Sequence, residues 1–326
     1  MHKVLLTEKI HQSGMDFLKS HAEVVVAENT KLETLVAAIK GMEAVIIRST
    51  KMYNEVIDAA DKLRVIGRHG IGVDNIDVEY ATSKKISVLN TPLANVNSVV
   101  EHVIALMMTL SKKFFAADKA MREGKTSLEG KSLPAICQSL GLAGVELTNK
   151  TLGIAGFGKI GSLTAQRCIK AFDMKVMVYD PPAYNKAPLP EGAQWVESLD
   201  DLLKQSDYIS LNMPLLPSTK NMIGEAQFKL MKPSAFLINC ARGEIVDENA
   251  LYRALKENWI AGAGFDVFAQ EPPPKDLPLF ELDNIILTPH AAAMTAESLE
   301  RMAMEISQGV IKMLNGEVPH NVVNKI

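Results

Sequence analysis

Six consecutive residues constrain this chain more than any others. Gly156-Phe157-Gly158-Lys159-Ile160-Gly161 follows the apolar run Thr151-Leu152-Gly153-Ile154-Ala155, and Asp180 stands 19 residues beyond Gly161, closing the run Val176-Met177-Val178-Tyr179. A strand, a turn with glycine at its first, third and sixth positions, a helix, and a second strand closed by an acid form the fingerprint of a dinucleotide site. Gly156 permits the tight turn, Gly158 lets the backbone approach a pyrophosphate, and Gly161 lets helix and strand pack closely. The helix N-terminus then faces the phosphates. Gly156, Gly158, Lys159, Ile160 and Gly161, with Asp180, are therefore the cofactor-binding candidates. A glycine-rich turn in some other α/β protein would lack the strand, helix and acid at these spacings. About 150 residues precede the motif, so another domain comes first.

A length of 326 residues fits about two domains. Net charge is −3 with no long run of one sign, which gives no reason to expect nucleic acid or an anionic membrane as partner. The N-terminus enters a strand-like run, Lys3-Val4-Leu5-Leu6, without the layout of a leader peptide. The apolar stretch from Val99 to Leu110 is too short to span a bilayer. Cys137, Cys168 and Cys240 are odd in number and far apart; they form no metal spacing and fit a reducing, cytoplasmic setting.

Short apolar runs alternate with helical patterns over the first hundred residues. Strands are expected at 3–7, 23–27, 44–48, 64–68 and 86–89, with helices at 13–20, 31–40, 54–60 and 77–84. Thr30-Lys31-Leu32-Glu33 has the form of a capping box for the second helix. The pattern predicts a small, flavodoxin-like parallel sheet. One long helix is expected from Ser98 to Gly124, roughly 40 Å at 1.5 Å per residue, then a loop over 125–149 with one helical turn. From Thr151 the alternation resumes. Strands are expected at 151–155, 175–180, 207–211, 235–239, 261–266 and 284–287, and helices at 159–171, 199–205, 224–231 and 247–258, with Ser198 and Asp247 as N-caps. A last helix at 295–315 ends at Asn315-Gly316. The fold class is α/β: two doubly wound parallel-sheet domains, the second a Rossmann dinucleotide-binding domain.

Ligands of open α/β sheets sit beyond the carboxyl ends of the strands. Arg242 follows the strand that ends at Asn239, Asp266 ends the strand Gly262-Ala263-Gly264-Phe265 with Glu271 in the loop after it, and His290 follows Ile285-Ile286-Leu287. A guanidinium, a carboxylate and an imidazole thus converge on one edge. Each alone has a bland reading, as a surface arginine, a solvated loop carboxylate or a hydrogen-bonded loop histidine. Together, beyond a dinucleotide motif, they suit hydride transfer at a 2-oxo or 2-hydroxy acid. Arg242 can hold a carboxylate bidentately. His290 can give or take the proton, and Glu271 can hold the other ring nitrogen. Asp180 favours NAD over NADP, because a carboxylate accepts from a ribose 2′-hydroxyl and repels a 2′-phosphate. Pro181 and Pro182 follow it, with no arginine.

Nearly end to end, the chain resembles the D-isomer-specific 2-hydroxyacid dehydrogenases, and within them the D-3-phosphoglycerate dehydrogenase branch. The carriers are Arg48-Ser49-Thr50-Lys51, Gly67-Arg68-His69-Gly70-Ile71-Gly72-Val73-Asp74-Asn75 and Asn90-Thr91-Pro92 with Asn95. Further on they are the fingerprint, Tyr179-Asp180-Pro181, Pro214-Leu215-Leu216-Pro217-Ser218-Thr219, the Asn239–Asp247 segment, Phe265-Asp266-Val267-Phe268, Glu271-Pro272 and Pro289-His290. The resemblance implies catalytic roles for Arg242, Glu271 and His290. It sets Asp266 near the nicotinamide carboxamide and Met213, Thr219, Cys240 and Ala241 along the cofactor. It implies substrate contacts from Gly70 and Ile71 backbone donors, from Asn95, from Arg48 toward a phosphate, and from Arg242. Arg48 also reads as a strand-end salt bridge, His69 as a pocket-wall candidate or a structural hydrogen-bonding group, and His102 as a structural group. It further implies a discontinuous substrate domain, 1–97 plus 292–326, an NAD-binding domain, 98–291, and a homodimer joined through the latter.

Three departures stand out. Asp173 replaces a common glycine before a strand, residues 125–144 are longer than the usual connector, and the C-terminal regulatory domain of longer phosphoglycerate dehydrogenases is absent, so serine feedback is not expected. The expected protein is an NAD-dependent dehydrogenase of a small 2-hydroxy acid, with its active site in a closing cleft between domains. Two other classes share the outline: an NAD(H)-sensing co-repressor-like binding protein and a structural oligomer with a vestigial site. Within the enzymes, Glu271 beside His290 argues against formate as substrate.

Overall fold

The structure, a computed structural model, describes residues 1–181 and 188–326, so Pro182 lies outside the described residues. Two compact units form, one from Met1–Ser98 with Ala293–Ile326 and one from Val99–Ala292. In the first, β1 (His2–Leu6), α1 (Gln12–His21), β2 (Ala22–Val26), α2 (Leu32–Ala38), β3 (Ala44–Ile47), α3 (Asn54–Ala59), β4 (Val65–Arg68), α4 (Val78–Ser83) and β5 (Ser87–Leu89) alternate along the chain. The strands are parallel in the order β2-β1-β3-β4-β5, the flavodoxin-like arrangement. Val4, Leu6, Ala44, Ile46 and Val65 are buried on one face, and Leu5, Val45, Ile47, Ile66 and Val88 on the other, so the short runs are apolar throughout.

α5 (Val96–Lys112) begins at the end of the first unit's stretch and, from Val99, leads the second, followed by α6 (Phe114–Arg122) and α7 (Leu133–Ser139). The second unit continues through β6 (Thr151–Ala155), α8 (Lys159–Phe172), β7 (Lys175–Tyr179), β8 (Ala193–Trp195), α9 (Leu199–Gln205) and β9 (Tyr208–Leu211). α10 (Glu225–Leu230), β10 (Phe236–Asn239), α11 (Glu248–Lys256), β11 (Gly262–Phe265) and β12 (Ile285–Leu287) complete it. Its parallel order is β12-β11-β10-β9-β6-β7-β8, a dinucleotide sheet with one strand beyond the six expected. Ala193–Trp195 is too short to announce itself in sequence. The chain then returns to the first unit as α12 (Ala296–Leu314), whose Ala303, Ile306 and Val310 join that unit's core. Gly67 is needed on β4 because a Cβ there would lie 2.9 Å from both Ile306 and Val310.

Two local expectations are corrected. The long helix is not continuous to Gly124. It stops at Lys112, and Lys113 takes a left-handed φ of 54°. The break follows from the Ser111 carbonyl, which accepts the Val145 N–H at 2.8 Å rather than continuing the helical ladder, while the Ser111 hydroxyl bonds back to Met107 O. Gly144 permits this approach, since a Cβ there would sit 2.3 Å from Ser111 O. The capping box at Thr30 does not form either. Asn29 Oδ1 accepts the Lys31 N–H, and α2 starts with Lys31 as a cap lacking a side-chain bond. Ser198 and Asp247 do cap α9 and α11, accepting from Asp201 and from Asn249 and Ala250. Asp173 caps α8 with φ 51°, a left-handed position that accounts for glycine being common there.

Candidate active site

Strand register brings the candidate residues to one edge. Tyr179 pairs with Ala155, Ala155 with Leu211, Leu211 with Asn239, Asn239 with Phe265, and Phe265 with Leu287. These six residues form one row across the second unit's parallel sheet. The residues that follow them are Asp180, Gly156, Asn212, Cys240, Asp266 and Thr288. Chemistry scattered over more than a hundred positions of sequence is gathered because every strand ends at the same level.

At the centre of the row is the glycine turn. Gly156 has φ 96°, and a Cβ on it would meet the Asn212 carbonyl and the Met213 N at 2.7 to 2.8 Å. A Cβ on Gly161 would strike Gly156 O at 2.1 Å, whereas a Cβ on Gly158 would meet nothing within 4 Å. The first and third glycines are thus required by packing, and the second keeps open space beside the start of α8. That helix has no side-chain cap and no acid in its first turn, so its leading N–H groups present positive potential around Lys159 and Ile160. Asp180 accepts the Phe157 N–H at 2.7 Å, bracing the turn. The cradle, the uncapped helix and the strand-end acid fit a dinucleotide. Met213 is buried behind the turn. Thr219 spends its hydroxyl within its own loop, donating to Pro214 O at 2.7 Å and accepting the Leu216 N–H at 2.8 Å. Burial, with the charge of Asp266, pushes the Cys240 thiol well above its usual range, so it stays protonated beside Ala241.

Past β10, buried Asn239 folds the next residues back. Its Oδ1 accepts the Ala241 N–H at 3.0 Å and its Nδ2 donates to Arg242 O at 2.9 Å. The Arg242 guanidinium donates to Ala241 O at 2.6 Å. Gly243 is indispensable: a Cβ there would lie 1.9 Å from the Phe268 carbonyl carbon, so only glycine lets this loop abut the one carrying Glu271. Glu271 Oε1 accepts the Phe268 N–H at 3.1 Å, and His290 Nδ1 lies 2.7 Å from Glu271 Oε2. Burial raises the Glu271 carboxyl, but the bond and charge of His290, the Phe268 amide and the Arg242 guanidinium outweigh it and hold it below the ordinary carboxylate range. A carboxylate facing Nδ1 leaves Nε2 as the outward nitrogen. Arg242, Glu271 and His290 are thus one electrostatic group. Asp266 is wholly buried, its carboxylate accepting the Ala291 and Ala292 N–H groups at 2.8 Å each. Asn239, Gly243 and Thr288 were not singled out from sequence; each carries its signal only through its position just before or after a reactive residue.

The first unit carries the other candidates at its own strand ends. Arg48, after β3, donates to Lys9 O at 3.3 Å and reaches toward Met294 Sδ at 3.9 Å, while, against burial, its charge helps hold the Glu8 carboxyl below its ordinary range. The Gly70 N–H bonds Arg68 O at 3.0 Å, while Asn90 and Thr91 hold the loop through Ile71 O and Gly70 O at 2.8 and 2.9 Å. Of the two expected backbone donors, Gly70 is therefore engaged locally, and Ile71 is the one whose N–H takes no protein acceptor among the described residues. Asn95 is buried with its Oδ1 unpartnered. His69 is buried as well. Among the described residues no cluster of His, Cys, Asp or Glu could hold a metal, and no helix is long and apolar enough to cross a membrane.

The fold and the glycine cradle define a dinucleotide-binding α/β protein with an acid, a base and a guanidinium at one sheet edge. The sequence model of the "D-isomer specific 2-hydroxyacid dehydrogenase, NAD binding domain" matches residues 104–292. The chain belongs to the D-isomer specific 2-hydroxyacid dehydrogenase family. It is 41% identical over 99% of its length to a D-3-phosphoglycerate dehydrogenase of Methanocaldococcus jannaschii, of which it covers 60%. It is 39% identical over 99% of its length to a glyoxylate reductase of Pyrococcus furiosus, covering 95% of that protein. Among solved structures, a D-lactate dehydrogenase of Aquifex aeolicus in complex with NAD and lactic acid superposes with a TM-score of 0.85 at 30% identity, covering both chains fully. The chain spans about 60% of the length of the phosphoglycerate dehydrogenases that it matches.

Proposed function

We propose that this protein is an NAD-dependent D-2-hydroxyacid dehydrogenase in which Arg242, Glu271 and His290 are the catalytic residues. The observation that carries the reading is the His290–Glu271 pair, 2.7 Å apart and within the field of Arg242, on the edge that bears the glycine cradle. When bound, the nicotinamide supplies or accepts the hydride. Arg242 binds the substrate carboxylate and aligns the neighbouring carbonyl. His290 Nε2 gives a proton to the carbonyl oxygen in reduction and takes it back in oxidation. Glu271 holds Nδ1, fixing the ring and favouring its protonated form. The carboxylate of Asp180 selects NAD through the ribose hydroxyls, and Met213, Thr219, Cys240, Ala241 and Asp266 line the cofactor.

The first unit, which includes α12, serves as the substrate domain, with the Ile71 N–H and Asn95 toward the carboxylate end, Gly70 shaping their loop, and Arg48 toward a distal phosphate. The substrate is a small 2-oxo acid: 3-phosphohydroxypyruvate, hydroxypyruvate or glyoxylate, chemistries consistent with the names of the relatives. NADH oxidation against a panel of 2-oxo acids with and without a phosphate tests this. A phosphate preference that Arg48→Ala abolishes would support the phosphoglycerate branch; equal rates on glyoxylate and no effect of Arg48→Ala would exclude it. Turnover of none of these acids would overturn the reading.

The protein assembles as a homodimer through its NAD-binding unit. Phe114, Phe115, Met121, Leu128 and Leu133, all within α6, α7 and their connection, are exposed, Phe115 at 65%. Exposed apolar side chains concentrated in one segment support an interface there. Light scattering should give twice the chain mass, and Phe115→Lys with Leu133→Lys should give a monomer.

A further inference from the structure

We propose that His102 and Thr288 are positioning residues for His290, acting through Asp266; this rests on His290 being the proton donor. The catalytic imidazole is held at two points. Glu271 fixes its ring, and its backbone adopts φ 52°, a left-handed conformation that a non-glycine residue keeps only when its surroundings impose it. Asp266 is what imposes it. Its carbonyl accepts the His290 N–H at 2.7 Å, its Oδ1 the Ala291 N–H and its Oδ2 the Ala292 N–H, each at 2.8 Å. One fully buried residue thus grips three consecutive amides, so the plane of its carboxylate sets the course of the backbone that carries His290.

That plane is set in turn by Thr288 and His102. Thr288 Oγ1 lies 2.6 Å from Asp266 Oδ1 and 3.0 Å from His102 Nε2. An ionised carboxylate only accepts, so the single hydroxyl proton goes to Asp266. The hydroxyl oxygen must then accept, and the donor is His102 Nε2–H. His102 stands on α5, and its Nε2 is also 3.6 Å from Asp266 Oδ1. The chain His102 → Thr288 → Asp266 therefore has one direction and no slack. It anchors the catalytic loop to a helix whose Val103, Leu106 and Met107 are packed into the second unit's core.

The test compares isosteric and donor-conserving variants. Thr288→Val removes the hydroxyl at constant shape, and His102→Leu removes the N–H. Both should lower kcat on a 2-oxo acid by about ten- to a hundredfold, the effect of a displaced catalytic group. NADH affinity, from fluorescence titration, should fall by far less than kcat, since the glycine turn and Asp180, at the other end of the cofactor site, are untouched. Thr288→Ser and His102→Gln, which keep a donor in place, should restore most of kcat. The double variant Thr288→Val/His102→Leu should be no worse than the poorer single one, as expected of a single unit. A second readout needs no turnover. The Hε1 resonance of His290 in the cofactor-free protein, assigned by its loss in His290→Gln, should move in Thr288→Val and His102→Leu and return in Thr288→Ser. Should Thr288→Val fail to fold, His102→Leu and His102→Gln carry the same comparison. A resonance that stays at its wild-type position, or a loss of kcat that Ser and Gln do not restore, overturns the proposal. An inactive wild type whose resonance still responds to these substitutions would instead sink only the assigned reaction.

Discussion

The two units treat their buried polar groups differently. In the second, the buried polar residues at the sheet edge are spoken for: Asn239 folds its own loop, and Asp266 grips three backbone amides and a hydroxyl. In the first, among the described residues, Thr7, His69, Thr91, Asn95 and Ser298 each bury a side-chain oxygen or nitrogen with no hydrogen bond. A buried polar atom left unsatisfied costs about 1 to 3 kcal/mol, so a group of them needs a reason. The contrast matches a division of labour. Under the proposed function, the second unit's satisfied groups hold a preformed site for the cofactor and for proton transfer. On the same reading, the first unit's unpartnered polar groups, Asn95 foremost, are the capacity available to a substrate.

Substitutions can break that contrast. The largest effect should come from His290→Ala, which removes the proton donor and should lower kcat by roughly a thousandfold while NADH still binds; near wild-type turnover would refute the division at its root. Gly243→Ala places a methyl 1.9 Å from the Phe268 carbonyl carbon and should destabilise the second unit by about 3 kcal/mol or more, read from a denaturant midpoint. An unchanged midpoint would mean that the Arg242 and Glu271 loops do not abut as described.

His69 probes the first unit. Burial, followed by the charges of Arg48 and Arg68, lowers its pKa from 6.5 to about 4. The folded protein keeps it neutral, so below pH 6.5 the unfolded chain takes up a proton that the folded chain refuses. The stability is therefore intact above pH 6.5 and is lost as pH falls toward 4, by up to about 3 kcal/mol. Parallel denaturation series at pH 7 and pH 4.5 should show His69→Phe losing less stability on acidification than wild type; identical losses would show that His69 is not a buried neutral group.

Asp180→Ser should cut the preference for NADH over NADPH, expected to be at least about tenfold in the wild type (about 1.4 kcal/mol), as judged from kcat/KM. Equal kcat/KM for both cofactors in the wild type would remove Asp180 from cofactor selection. The smallest effect is Asp173→Gly, which relieves a left-handed side chain at the end of α8 and should stabilise the second unit by up to about 1 kcal/mol without altering kinetics. A destabilised variant would show that the Asp173 side chain contributes more than its backbone strain costs.

Much of this was legible along the chain. Eleven of the twelve described strands appear as short apolar runs because most strands of a doubly covered parallel sheet are buried on both faces, and the glycine turn, Asp180, Arg242, Glu271 and His290 could be named from their spacing to strand ends. The failures share a cause. Ser98 to Gly124 has helical periodicity throughout, yet the helix breaks at Lys113 because Val145, some thirty residues on, captures the Ser111 carbonyl. Thr30 had the right neighbours for a cap, and a nearer turn at Asn29 displaced it. Local pattern records what a segment prefers; it carries no trace of a competing partner from elsewhere.

By itself, then, the sequence determined the order of elements, the dinucleotide cradle and the residue types at the strand ends, since these follow from burial and backbone geometry over a few neighbouring positions. Only the tertiary structure decided that Ala155, Leu211, Asn239, Phe265 and Leu287 stand in one row, that Glu271 reaches His290 Nδ1, and that His102 and Thr288 hold Asp266. Those are relations between residues far apart in the chain, set by strand register and by a carboxylate that, once buried, must find every one of its donors.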